Sequence, residues 1–140
     1  MKPTEVERFL EPTLSHAGIK LDEIHDAAIY GDRPAWAVYY RGQDCKLQIC
    51  WSARDGGTDF MLASLDAPNE FGLLNRSKKW QFMLLLSDAR DDLATPGLDA
   101  KDDAVMCWLE ALFRVHFEAA HNALRSRAPE QRDVMTGGGR

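Results

Sequence analysis

The sequence predicts an α+β domain: an antiparallel sheet of about five strands, with an N-terminal helix, a short middle helix and a long C-terminal helix packed on one face. Three observations lead there. Apolar residues recur at helical spacing at both ends of the chain, the period drops to two between Ile24 and Leu65, and three turn signals cut that stretch into short strands. Strands joined by tight turns pair as an antiparallel meander, and helices can then cover the sheet's apolar face.

In the first helix Val6, Phe9, Leu10, Leu14 and Ala17 form one stripe, and Gly18 reads as its left-handed cap. Thr4 and Glu7 have the spacing of a capping box. Pro12 removes one backbone bond, so a kink or a division into two short pieces is expected there. The turns are Gly31-Asp32-Arg33-Pro34, Arg41-Gly42-Gln43-Asp44 and Arg54-Asp55-Gly56-Gly57. Along the third strand Cys45, Leu47, Ile49, Trp51 and Ala53 share one face, with Lys46, Gln48, Cys50, Ser52 and Arg54 on the other. Trp36, Val38, Tyr40, Phe60 and Leu62 are assigned to the core. Tyr39 then points outward, onto a face expected to be largely wet.

Asp66 before Pro68 suits a short helix running toward Asn75. The apolar run from Phe82 to Leu86 reads as a strand within Lys78 to Ser87, and Asp99 to Asp103 supply caps for the last helix. There Val105, Leu109, Leu112, His116, Ala119 and Ala123 line one face, flanked by Trp108, Phe113, Ala120 and Leu124. The helix is expected to end near Arg127, because Pro129 disfavours helical geometry at Ala128. Residues 1–128 then form a single domain and 129–140 a flexible tail.

Composition excludes several classes. The 140 residues suffice for one hydrophobic core, and the run Phe82 to Leu86 is far too short for a membrane-spanning helix, which needs about 20 apolar residues. Seventeen basic against twenty-two acidic residues leave a net charge of −5, which disfavours nucleic acid as a partner. The charged N-terminus lacks a secretory signal, so a cytoplasmic location is expected. Cys45, Cys50 and Cys107 include no CxxC pair and imply no disulfide framework.

Catalytic and metal patterns are poorly supported. His116 and His121 are five residues apart and point away from each other on a helix, so with Cys107 and Glu118 they make a poor ligand set; His116 reads as a hydrogen-bonded core histidine. The acidic stretch Asp88 to Asp99 has Arg90 and Leu93 where a calcium loop needs an oxygen ligand and a glycine. No GxSxG elbow activates Ser52, Ser64 or Ser87, and Cys50 with His25 is the remaining nucleophile and base pairing. No cofactor or metal is expected.

Tyr39, Lys46, Gln48 and Arg54 on the outer sheet face, with the basic segment Arg76, Lys78 and Lys79 beside Trp80, are the candidate contacts for a partner protein. Trp36, Tyr40, Trp51, Phe113 and His116 are the candidate lining of a cavity between sheet and final helix. The order of elements, carried by the Val6 to Leu14 helix, the turns at Gly31, Gly42 and Gly56, and the Val105 to Leu124 helix, resembles the type III secretion chaperones and the YbjN-like domains. With the missing catalytic constellation, it points to a non-enzymatic domain that binds another polypeptide, chaperone-like or immunity-like, and is compatible with a homodimer. The alternative is a small-ligand-binding or enzymatic domain built on the aromatic-lined cavity.

Overall fold

The computed structural model describes residues 1–138, of which 128–138 in backbone only. Helix α1 (Pro3–His16) leads into strands β1 (Lys20–Tyr30), β2 (Arg33–Arg41), β3 (Lys46–Ser52) and β4 (Thr58–Ala63). After a long irregular segment come β5 (Gln81–Phe82), the single turn α2 (Met83–Leu86) and α3 (Asp102–Gly138). All five strands lie in one sheet in the order β1-β2-β3-β4-β5, each antiparallel to the next. The α+β class therefore stands, with α1 and α3 on one face.

Helix α1 begins two residues before the expected box. Pro3 holds the first helical position, and the Lys2 backbone N–H donates to Glu5 Oε1 at 3.1 Å. Pro12 does not divide the helix; it sits on the exposed side, as does Arg8, whose carbonyl loses its helical partner. The end is as expected: Gly18 at φ 78° allows Gly18 N–H to reach Ser15 O and Ile19 N–H to reach Leu14 O, both at 2.9 Å. The paired bonds turn Ile19 back onto Leu14, and both are buried.

Strand register matches the alternation. Trp36, Val38 and Tyr40 face Trp51, Ile49 and Leu47 across β2 and β3, and Phe60 and Leu62 continue the rows. These residues form one cluster with Val6, Leu10 and Leu14 of α1 and Leu109, Leu112 and Phe113 of α3. Fully burying each such side chain contributes roughly 1.5–3 kcal/mol. Strand β1 is an edge strand, mostly exposed, with register shifts between Leu21 and Glu23 and between His25 and Ala28. Bulges of this kind twist an open edge away from further pairing.

Three expectations are corrected. No helix follows Asp66; the chain runs through turns, with Asn75 at φ 46° and Lys78 at φ 63°. Lys78 to Ser87 is not one strand, since only Gln81 and Phe82 pair with β4 before the leucine- and methionine-rich turn α2 begins, as those residues' helix propensity favours. The backbone of α3 continues past Arg127 through Pro129, so the residue preceding proline shows a bias overridden and not a stop. The side chains of the tail 129–140 lie outside the described residues, as do 139 and 140 entirely. No helix among the described residues is long and apolar enough to cross a membrane.

Candidate functional site

The second sheet face is not wet. Residues 64–80 fold back across it and place Ala67, Phe71 and Trp80 against Ala35, Ala37, Tyr39, Cys50, Met61 and Ala63 as a second apolar cluster. Tyr39, Lys46 and Gln48 point to the predicted face yet are buried there, so none of the three is available to a partner. Lys46 Nζ donates to Ala67 O at 2.8 Å and to Asn69 Oδ1, and lies 5.8 Å from the Trp80 ring centre. Burial lowers its pKa, as the charged form is the one that loses hydration. Gln48, with no exposed surface, accepts from Gly72 N–H at 2.8 Å and donates to Glu70 O at 3.1 Å. Trp80 Nε1–H donates to Pro68 O at 3.0 Å. The other candidate contacts remain exposed: Arg54 packs over the Tyr30 ring, Lys79 pairs with Asp66 at 2.6 Å, and Arg76 and Lys78 stand on the loop surface.

Cys50 and His25 do not form a reactive pair. Both belong to one row of cross-strand partners, His25, Ala37, Cys50 and Asp59, but Ala37 stands between them, so two strand spacings of about 4.8 Å separate their backbones. Burial, with Asp59 alongside, pushes the Cys50 thiol up, away from the thiolate.

His116 is the hydrogen-bonded core histidine the sequence suggests, and its partners come from the segment after α2. Its Nδ1 meets Ser87 Oγ at 2.8 Å and its Nε2 meets Asp91 Oδ2. With Nε2 protonated toward the carboxylate, Nδ1 accepts the serine hydroxyl. A Ser-His-Asp chain of this polarity can in principle activate a nucleophile. Here Ser87 Oγ also accepts from Ala89 N–H at 3.1 Å, and neither Ser87 nor His116 lines the groove beside them. The relay ties residues 87–91 to α3.

Of the expected cavity lining, Trp51 borders a cleft between the sheet and α3, and Tyr40 borders a second one. Trp36, Tyr40, Phe113 and His116 are packed in the core. Trp51 alone of that set lines a cleft of about 350 Å³ at the start of α3, facing Trp108 and Val105 and bounded by Thr95 to Leu98. Tyr40 forms part of the wall of a separate 320 Å³ cleft with Glu7 and Glu11 of α1, and its buried hydroxyl makes no hydrogen bond. A further groove, about 500 Å³, runs between α2 and α3. Leu86, Val115, Ala119 and Ala123 line it together with Asn122, Ser126 and the exposed carboxylates of Asp88 and Glu118.

One constellation was invisible in the sequence. Asp44 and Cys45, in the turn entering β3, meet His121 of α3, and the donor atoms of all three lie within 4.8 Å of one another. His121 Nε2 is 2.7 Å from Asp44 Oδ1, and its ring stacks on Phe117 at 5.3 Å between centres. Arg125 Nε stands 3.6 Å from Asp44 Oδ2. Burial, reinforced by the Asp44 carboxylate, raises the Cys45 thiol to about 11. Spacing rules look for ligands within one helix or one short motif, so a pair on a turn and a third residue on a distant helix give them nothing to read. Among family models, curated proteins and solved structures, none matches this chain.

Proposed function

We propose that the chain is a non-catalytic binding domain, chaperone-like or immunity-like, that receives a basic amphipathic segment of another polypeptide between α2 and α3. The observation that carries this is the groove itself. Leu86, Val115, Ala119 and Ala123 give it an apolar strip beside the polar Asn122 and Ser126, and the charged residues that line it among the described residues, Asp88 and Glu118, are both acidic. Leu84 and Leu85 stand exposed on the same turn that supplies Leu86, extending apolar surface beyond the groove. A helix laying apolar side chains into such a groove, with lysines or arginines flanking them, meets both features. The net charge of −5 favours encounter with a basic partner.

Fluorescence anisotropy with a labelled lysine- and leucine-rich amphipathic peptide tests the reading. Binding is expected for this peptide, not for its glutamate counterpart, and is expected to vanish in Ala119→Arg, which fills the groove from an α3 position without touching the sheet. Equal binding of both peptides, or binding untouched by Ala119→Arg, would overturn it.

A second reading, binding of a small apolar ligand, is supported by the Trp51 and Trp108 cleft. Quenching or blue-shift of tryptophan emission in a small-molecule screen, lost in Trp108→Ala, is its expected signature.

A further inference from the structure

We propose that Asp44, Cys45 and His121 form a three-ligand site for a divalent transition ion of the zinc class. The donors are one thiol sulfur, one imidazole nitrogen and one carboxylate oxygen, which suit a cation of intermediate softness and not calcium or magnesium, whose shells are built from oxygen. They are already gathered within 4.8 Å of one another. In a tetrahedral zinc shell, bond lengths of about 2.0–2.3 Å put ligand atoms roughly 3.5 Å apart, so side-chain adjustment of about 1 Å closes the set.

The elements around the cluster hold two of the ligands in place. Cys45 is anchored as β3 begins, its carbonyl accepting from Gly42 N–H at 2.8 Å, and its thiol makes no hydrogen bond among the described residues. The His121 ring is held flat against Phe117, which in turn stacks on Phe113. Asp44 is the exposed and adjustable member; Arg125 near its Oδ2 leaves Oδ1 directed at the imidazole. A carboxylate is an unfavourable neighbour for a thiolate, and a cation between them reverses that balance. Asp44 and His121 are partly exposed, so the fourth position opens to water or an external ligand.

Binding exchanges one proton for the ion. The Cys45 Sγ–H bond breaks, Sγ bonds to the metal and the proton leaves to solvent. His121 binds as neutral imidazole through Nε2, with its proton on Nδ1, and the Asp44 carboxylate binds without losing a proton.

Cobalt(II) titration of the full chain, without a histidine tag and under a reductant lacking thiols, tests this. The expected result is one equivalent bound, with a sulfur-to-cobalt charge-transfer band and the visible absorption of a four-coordinate ion, displaced by zinc. Cys45→Ala and His121→Gln should abolish both features, and Cys107→Ser should leave them intact. Asp44→Asn, at an exposed position, should weaken binding at least as much as the roughly 10- to 100-fold seen when an outer-shell partner is lost. Absence of the charge-transfer band, its survival in Cys45→Ala, its loss in Cys107→Ser, or unchanged affinity in Asp44→Asn would each overturn the proposal.

Discussion

Gln48 and Gly72 join the 64–80 segment to the sheet: the glycine N–H donates to the glutamine Oε1 at 2.8 Å. A Cβ at Gly72 would overlap Met61 Sδ and sit 3.2 Å from both Gln48 amide atoms. The buried glutamine is therefore matched to a backbone that must carry no side chain.

Gly72→Ala is expected to destabilise the fold by about 1–3 kcal/mol, the usual range for overpacking. Gln48→Ala should cost a similar ~1–3 kcal/mol, because it strands the Gly72 N–H and the Glu70 carbonyl. In both variants the Trp80 indole N–H, bonded to Pro68 O, should exchange with deuterium faster than in the parent, reporting a loosened cover. Unchanged indole protection would show that the cover is held by Trp80 and Phe71 alone.

Lys46→Met distinguishes packing from charge at the same cover. The lysine stem is buried beside Trp80, whereas its ammonium is held by neutral oxygens of Ala67 and Asn69. Methionine keeps much of the apolar volume and removes the desolvated charge, so the melting temperature should change little, while Lys46→Ala should lower it clearly. Equal losses in the two variants would assign the stability to the ammonium's hydrogen bonds.

Asp91 supplies an acid-side dependence of stability. The hydrogen bond from His116, aided by Leu93 N–H, holds its carboxyl below the usual carboxylate range. A carboxyl with a folded-state pKa below its unfolded value of about 3.9 stabilises the fold above that value, and the contribution is lost as pH falls through the folded pKa. Asp91→Asn should thus flatten the urea midpoint's dependence on pH below about 4. Asp66, held low by Lys79, will leave some acid sensitivity in the variant. An identical acid limb in both proteins would remove Asp91 from the account.

Tyr40→Phe should be neutral or stabilising by up to about 1 kcal/mol, since the buried hydroxyl has no partner and its removal leaves none stranded. Thermal melts of the two proteins check this. A marked destabilisation would mean that the hydroxyl is bonded in solution.

Much of the fold was legible because period-two alternation survives in β3: Leu47, Ile49 and Trp51 face the helices as their spacing requires. The covered second face was also signalled, though less directly. Ala35, Ala37, Cys50 and Ala63 are small or apolar at positions where a wet face carries threonine or charge, and Lys46 and Gln48 masked that pattern. The 64–80 segment has no periodicity, because its anchors Ala67, Phe71 and Trp80 are spaced by turns and not by helix or strand geometry. The His116 relay was half legible: an isolated histidine on an apolar stripe requires hydrogen-bond partners, but Ser87 and Asp91 lie in a linker without a repeat. The meeting of Asp44 and Cys45 with His121 depends on where α3 crosses the sheet, which no local pattern encodes.

The meander order of the strands has a kinetic consequence. Each strand finds its partner immediately before or after it in the chain, so β1 to β4 can zip as successive hairpins, each closing only a short loop. The contacts that join distant parts, such as Thr13 Oγ1 with Glu110 and the amino group of Met1 with Asp102, link α1 to α3. Helix α3 packs against β4, where Phe113 meets Phe60, so covering that side of the sheet needs the most distant part of the chain to arrive. A chain stalled before that event presents a formed but uncovered apolar sheet, the state most prone to self-association.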